Sequence, residues 1–140
     1  MAIELDCKAV RDVSKLEELH HMPCRIDYNG SAKVKKYFEC NIRPSVEDKG
    51  LEASYRGRPL HGEKKMVPSG YTGVVLKEAH KVCNDEEERK FKVTQTFTDY
   101  THWNLDLPPT DNDKIVSVRQ WLDIANVLHE PVDDEENDSP

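Results

Sequence analysis

Short apolar runs alternate with polar residues through residues 50–78, and glycines and prolines interrupt these runs at close intervals. Leu51, Ala53 and Tyr55 are separated by polar residues, which is the two-residue period of a strand with one buried face. Turns this dense leave no room for a helix. The pattern therefore predicts consecutive antiparallel strands that curl at the glycines, as the strands of a small β-barrel do.

The rest of this segment predicts two more strands. Residues 58–61 form a short strand that Gly62 ends, and residues 64–67 lead into a turn. A tight turn at residues 68–70 follows, because proline fixes φ and glycine tolerates the positive φ of turns. Residues 71–77 are rich in β-branched side chains, so we predict a half-buried strand there.

An Asn-Gly pair precedes this segment and predicts a hairpin. Asn29 and Gly30 lie between residues 19–28 and 32–38, and Asn-Gly supplies the positive φ that tight hairpin turns need. Beyond the turn lie Lys33, Lys35 and Lys36. We interpret these lysines as a solvated face or a protected sheet edge, in preference to a phosphate-binding site.

Residues 91–97 alternate apolar and polar side chains and predict another strand, which residues 100–105 extend until the prolines at 108 and 109 stop it. Residues 115–118 are predicted as one more strand. Apolar residues then recur at helical spacing, which predicts a short amphipathic helix of about two turns; they are Trp121, Ile124, Ala125 and Leu128.

These patterns predict one domain. We expect residues 1–18 to be a lead-in, residues 19–130 to form the β-barrel-like domain, and residues 131–140 to be a disordered acidic tail. No run of residues is apolar enough to span a bilayer, and the amino terminus has no signal-peptide core. We therefore expect a soluble, intracellular protein with no membrane partner.

The composition is poor in apolar residues for a chain of 140 residues. Hydrophobic residues make up 36% and charged residues 34%, against a usual apolar share of roughly 45–50% with glycine included. The domain is therefore either marginal or completes its core against another chain. The net charge of -7 argues against a generic nucleic-acid binder, whose affinity comes from Lys and Arg on phosphates.

Motifs for catalysis or metal binding are weak. The four cysteines form no Cys-x-x-Cys pair, so neither a zinc module nor a thioredoxin-type site is indicated. His20 and His21 are adjacent and point to opposite faces of a strand, which excludes a chelating pair. Acidic residues crowd into loops and the tail, away from any common pocket for two metal ions. We therefore expect no catalytic residues and no metal site on this chain.

One concentration of positive charge lies inside the predicted barrel, at Arg56, Arg58, Lys64 and Lys65. Two arginines on one face of a strand would hold carboxylates of a partner or phosphates of a nucleic acid. Intramolecular ion pairs with Glu52 or Glu63 are an equal alternative.

Two stretches of the sequence resemble a known family. Residues 55–63 read Tyr-Arg-Gly-Arg-Pro-Leu-His-Gly-Glu, and residues 67–75 read Val-Pro-Ser-Gly-Tyr-Thr-Gly-Val-Val. They are similar to the signature of the C subunit of eukaryotic ribonuclease H type 2. Residues 97–105 resemble the family's Phe-x-x-aromatic-Thr-x-Trp-x-Leu element, and the resemblance covers residues 19–129. The chain departs from the pattern at Pro59.

The resemblance implies a non-catalytic role. Family members interleave with the B subunit in a triple-barrel heterodimer that supports the catalytic A subunit. The heterotrimer cleaves the RNA strand of RNA/DNA hybrids and removes ribonucleotides embedded in DNA, and its magnesium is held by the catalytic A subunit. The resemblance also implies a nuclear location, with roles in DNA replication and ribonucleotide excision repair. No cofactor is then expected on this chain.

Within that hypothesis we predict two groups of partner-binding residues. The buried anchors are Tyr55, Leu60, Val74, Phe97 and Trp103. The polar contacts are Arg56, Arg58, His61 and Lys114. The alternative is a stand-alone β-barrel that binds nucleic acid through Arg56, Arg58, Lys64 and Lys65, and an independent enzyme ranks below both.

Overall fold

The computed structural model describes residues 3–6, 10, 13–46, 49–79 and 89–130. The chain divides into a β unit, Met1–Pro109, and a helical unit, Thr110–Pro140. All of the described strands lie in the β unit and the longer helix lies in the helical unit. The predicted class, mostly β with a C-terminal helix, is confirmed.

The strands are β1 (Ile3–Asp6), β2 (His20–His21), β3 (Arg43–Pro44), β4 (Leu51–Tyr55), β5 (Arg58–Met66), β6 (Gly73–Glu78), β7 (Arg89–Phe97) and β8 (Asp99–Leu105). The helices are α1 (Val34–Tyr37) and α2 (Lys114–Leu128), and a single 3-10 turn covers Glu39–Asn41. The strands predicted at the start of the central segment, at residues 71–77 and at residues 91–97 are therefore confirmed, as β4, β6 and β7.

A five-stranded sheet in the order β2-β8-β5-β4-β3 holds most of the core. Leu60 and Trp103 are its most deeply buried side chains, at 1% and 0% exposure. Leu60 pairs with Leu105, and Gly62 pairs with Trp103, in the antiparallel β5–β8 ladder. The Phe38 ring meets the Trp103 ring edge-on with centroids 5.5 Å apart. These contacts place the core on one face of the sheet.

A three-stranded sheet has the order β1-β7-β6. A register shift between Val75 and Leu76 marks a bulge in the β6–β7 ladder, and Val93 of β7 is 7% exposed. β1 runs parallel to β7, and β2 runs parallel to β8. The prediction of consecutive antiparallel strands in the central segment holds for β4 and β5, whereas β6 pairs with β7 in the other sheet. Closure into a barrel with strands of a partner stays a prediction.

The predicted break at Gly62 is wrong, because β5 runs without interruption from Arg58 to Met66. A Cβ atom at Gly62 would lie 2.6 Å from the Trp103 ring, so a side chain cannot fit between β5 and this tryptophan. The glycine therefore serves close packing within a continuous strand and does not end one.

The predicted hairpin around Asn29 and Gly30 is also wrong. Only β2 is a strand there, and it pairs with β8, while residues 34–37 form α1. Residues 32–38 contain no glycine or proline and are rich in lysine, which favours a helix where no neighbouring strand competes for the backbone. The three lysines consequently lie at the start of α1 and within it.

The predicted strand at residues 115–118 is wrong, because α2 begins at Lys114 and continues to Leu128. Its 15 residues make about four turns, where two were predicted. Ile115, Val118 and Leu122 continue the helical spacing toward the amino terminus. Within the described ranges, neither helix is long and apolar enough to cross a membrane.

The predicted acidic tail lies outside the described residues, as does the acidic connection at residues 80–88. The predicted lead-in contains β1 and an isolated bridge between Lys15 and Thr96. The domain boundaries at residues 18 and 130 stay predictions.

Candidate functional site

The β4–β5 hairpin presents the arginine-glycine element at its tip. Arg56 and Gly57 both have positive φ, 51° and 77°, and Tyr55 pairs with Arg58 across the turn. A two-residue loop with positive φ at both positions matches the twist of the strands that flank it. Tyr55 is 37% exposed, and the Arg56 guanidinium carbon lies 5.8 Å from the centre of its ring. Both side chains are therefore open to solvent at the tip.

Arg58 makes an intramolecular ion pair. Its Nη2 atom donates to Oδ2 of Asp106 at 2.7 Å, and the Asp106 backbone N–H donates to the Pro59 carbonyl at 3.2 Å. Asp106 has a φ of 62°. The acid that pairs with Arg58 is thus Asp106, and not Glu52 or Glu63, the two acids of the alternative interpretation. The pair fastens the hairpin to the segment that follows β8.

The predicted basic group is not brought together. Lys64 pairs with Asp99 at 2.9 Å and Lys65 with Glu63 at 2.7 Å. Lys64 and Lys65 are neighbours in β5, so their side chains point to opposite faces. Lys64 lies six residues along β5 from Arg58, which is about 20 Å. The hydrogen bond from Lys64, followed by that from Thr98, holds the pKa of Asp99 below its usual range.

The five predicted anchors fall into three environments. Leu60 and Trp103 lie in the interior of this chain. Phe97 is half-buried, and its ring meets that of Tyr100 edge-on at 6.3 Å. Tyr55 and Val74 are both 37% exposed. Tyr55 and Val74 are therefore the two predicted anchors whose apolar surface is most open to a partner.

The predicted polar contacts are also dispersed. His61 of β5 is half-buried and lies opposite Glu52 and Asn104 in the two neighbouring strands. Lys114 is exposed at the first position of α2. Arg56 and Arg58 thus share one location, the hairpin, and His61 lies further along the same sheet.

An apolar sheet edge is the feature that the sequence pattern did not show. β6 pairs with β7 alone among the described strands, so it forms one edge of the three-stranded sheet. Val74 is 37% exposed, Leu76 is 43% exposed, and Tyr71 just before the strand is 45% exposed. We call β6 with Tyr71 the β6 edge. The unpaired backbone of such an edge is a template for another strand.

The far end of the β6 edge is fixed by an ion pair. Arg89 Nε of β7 donates to Oε1 of Glu78 at 2.7 Å. This hydrogen bond lowers the pKa of Glu78, because it favours the charged carboxylate. This ion pair therefore joins the end of β6 to β7, on the side of β6 that is already paired.

Among the described residues, Glu18, His20 and Glu39 form a group whose potential metal ligands lie within 4.8 Å of one another. The Trp103 indole N–H donates to Nδ1 of His20 at 3.2 Å. Because an indole nitrogen can only donate, Nδ1 accepts, and the neutral ring carries its proton on Nε2. Glu39 Oε1 lies 3.5 Å from this Nε2 atom. The Nε2 lone pair that a metal ion would need is thus occupied by a proton, so these residues do not fit a metal ion.

His21 and His102 form a second imidazole contact, on the other face of the five-stranded sheet. Their Nδ1 atoms lie 2.9 Å apart, and their ring centroids are 5.1 Å apart with 24° between the two planes. One Nδ1 must donate and the other accept. Partial removal from solvent, followed by the neighbouring His102, lowers the pKa of His21. The contact therefore accommodates one proton between the two nitrogens.

The described part of the chain thus defines a class of protein: a small β protein whose exposed hairpin and open apolar strand edge suit it to binding other chains. The family described as "Ribonuclease H2 non-catalytic subunit (Ylr154p-like)" matches residues 18–128. The chain belongs to this family of non-catalytic ribonuclease H2 subunits.

Three relatives are similar to most of the chain, and two of them carry the name of a ribonuclease H2 subunit. The chain is 31% identical over 136 residues to the C subunit of ribonuclease H2 from Bos taurus, covering 81% of each chain. It is 27% identical over 138 residues to the C subunit of ribonuclease H2 from Mus musculus, covering 82% of each. It is 31% identical over 122 residues to an uncharacterized protein of Schizosaccharomyces pombe, covering 81% of this chain and 83% of that one.

Proposed function

We propose that this chain is the accessory C subunit of a heterotrimeric ribonuclease H2, which pairs with the B subunit to support the catalytic A subunit. The observation that carries the proposal is the size of its core. Among the described residues, the buried hydrophobic side chains are Leu60, Val93 and Trp103. So small a core leaves little free energy of unfolding for a chain of 140 residues.

The β6 edge supplies a route by which a partner completes this core. A strand of the B subunit that pairs with β6 would satisfy its backbone N–H and C=O groups, and would cover Val74 and Leu76. The exposed Tyr55 and Arg56 of the hairpin are a second contact of the same proposal. Tyrosine and arginine are both enriched at protein interfaces.

We assign the nuclease activity of the complex to the A subunit. In this proposal, the catalytic A subunit holds magnesium and cleaves the RNA strand of RNA/DNA hybrids, including ribonucleotides embedded in DNA, while this chain contributes no catalytic residue. Its location is then nuclear, where replication and ribonucleotide excision take place. The names of the family and of the two animal relatives support the assignment to ribonuclease H2.

Co-expression with the A and B subunits, followed by native mass spectrometry, tests the proposal. We expect a complex with one copy of each chain, and we expect the chain expressed alone to unfold at a lower urea concentration than it does within the complex. Val74→Glu/Leu76→Glu places two charges on the β6 edge and should weaken assembly at least tenfold. Ser69→Glu/Asn112→Glu is the matched control, because it adds the same charges at exposed polar positions outside the β6 edge and the hairpin.

A cooperatively folded monomer that associates with neither of the two other chains would overturn the proposal. If both double variants lose assembly equally, the loss would be caused by the added charge and not by its position. The β6 edge would then no longer be part of the proposed interface. The stand-alone nucleic-acid module has no support in the predicted group, since Arg58, Lys64 and Lys65 are each paired to an acid.

A further inference from the structure

Residues 24–37 form a continuous exposed stretch, in which every side chain is open to solvent. We call it the basic segment, because it carries Arg25, Lys33, Lys35 and Lys36 against a single acid, Asp27. The whole chain has a net charge of -7. The basic segment is therefore a local exception to the charge of the protein.

Two of these four cations are already paired. Arg25 Nε lies 2.8 Å from Asp27 Oδ1, and Lys35 Nζ lies 3.1 Å from Glu17 Oε2. The hydrogen bond that Lys35 donates to Glu17, followed by the negative charge of Glu17, raises the pKa of Lys35. Lys33 and Lys36 take part in no ion pair among the described residues. Their charges are thus available to an external anion.

Two tyrosines lie among these cations and have no role in the core. Tyr28 is 66% exposed and Tyr37 is 68% exposed. The Tyr28 hydroxyl donates to the Ser31 carbonyl at 3.2 Å, which folds its ring back over the segment. The Lys36 Nζ atom lies 5.4 Å from the centre of the Tyr37 ring. The two aromatic rings therefore flank the three ammonium groups in the sequence.

We propose that the basic segment is a nucleic-acid contact, in which Lys33 and Lys36 bind backbone phosphates and Tyr28 and Tyr37 pack against the sugars of the same backbone. Cations that follow a phosphate backbone, beside aromatic platforms, are the shared design of sequence-tolerant nucleic-acid binding. The inference rests on the proposed function, because the ligand would be the RNA/DNA hybrid on which the complex acts. The contact adds affinity without reading sequence.

The test measures hybrid binding by the assembled complex in magnesium-free buffer with EDTA, using a fluorescent RNA/DNA hybrid at several salt concentrations. Lys33→Ala/Lys36→Ala should weaken binding about tenfold and reduce the slope of log K against log salt by about 2. Tyr28→Ser/Tyr37→Ser should weaken binding about tenfold with the slope unchanged. The control is Lys49→Ala/Lys92→Ala, which removes two exposed lysines that lie outside the basic segment and the β6 edge.

Unchanged affinity and slope in the lysine variant, or an equal change in the control, would overturn the inference. Loss of assembly in native mass spectra of either variant would also overturn it, because the basic segment would then be a protein contact. If the unaltered chain does not assemble, the proposed function fails by itself. The same titrations on the full chain alone then decide the inference.

Discussion

Trp103 contacts side chains or backbone from three other segments, at His20, Phe38 and Gly62, whereas alternation alone places it in a strand without showing these contacts. Its indole N–H fixes the tautomer of His20, and its ring occupies the space that a Cβ atom at Gly62 would need. Gly62 was predicted to break a strand because the sequence does not distinguish a glycine that ends a strand from a glycine that leaves room for an aromatic ring. The residue that distinguishes them lies on another strand.

The His21–His102 contact predicts a pH dependence of stability. The pKa of His21 is lowered in the folded protein, so the unfolded chain binds this proton first as pH falls. His21 therefore makes its full contribution to the free energy of unfolding at pH values above the ordinary imidazole pKa of about 6.5. This contribution is lost as the pH decreases below that value. Glu63, which lies opposite His102 in the ladder, is the acidic neighbour of this contact. We expect a lower urea midpoint at pH 5.5 than at pH 7.5.

His21→Leu/His102→Leu tests this assignment on the protein as isolated. An apolar pair at the same positions should reduce the difference between the two midpoints, because no imidazole contact is left there to lose. His129→Leu, at the exposed end of α2, is the control and should leave the difference unchanged. An equal pH dependence in the double variant would assign the effect to other groups.

At the scale of elements, the local turn signal was correct at Gly57 and wrong at Asn29-Gly30, and contacts between distant segments were not predictable. The β4–β5 turn follows from Arg56 and Gly57 themselves. The pairing of Arg58 with Asp106 does not, because the two residues meet only through the path of β5 and β8. The helical spacing of α2 was visible, yet β-branched residues at its amino-terminal end resembled a strand.

Asp106 gives a way to separate two roles of Arg58. The pair is exposed, at 60% for Arg58 and 51% for Asp106, so Arg58→Ala should change the free energy of unfolding by less than about 1 kcal/mol. If Arg58 acts on assembly by fixing the hairpin, Asp106→Asn should weaken the complex as much as Arg58→Ala does. Isothermal titration of the B subunit with each variant measures both affinities.

A loss of affinity confined to Arg58→Ala would show instead that its guanidinium contacts the partner directly. Arg58→Lys sharpens the comparison, because lysine keeps the charge but not the planar fork that fits a carboxylate. Ser54→Ala, at an exposed position of the adjoining strand, controls for changes elsewhere in the hairpin.

At the scale of the molecule, the composition predicted the thin core, and the family motifs predicted the role in a complex. Neither showed where the chain is open, because the position of β6 at a sheet edge is decided by pairing among β1, β6 and β7. The sequence also did not show that the apolar side chains of α2 are exposed. None of its side chains is buried, and Trp121 is 67% exposed.

The chain contains two tryptophans, and they predict opposite responses to complex formation. Trp103 is 0% exposed and Trp121 is 67% exposed. This chain, and neither of its partners, is labelled with 5-fluorotryptophan. Its fluorine NMR spectrum should then show one signal that a soluble paramagnetic agent broadens and one signal that the agent does not broaden. Trp121→Phe assigns the signals. An exposed tryptophan among apolar neighbours is a typical interface residue, so the Trp121 signal should become protected when the two other chains are added.

The Trp103 signal is the internal reference for this measurement, because its ring is covered by residues of the same unit, including Phe38 and Gly62. It should resist broadening before and after assembly. A Trp121 signal that broadens equally in the complex would show that the partners leave α2 uncovered. Assembly would then depend on the hairpin and the β6 edge, and substitutions there would account for all of the binding free energy that this chain contributes.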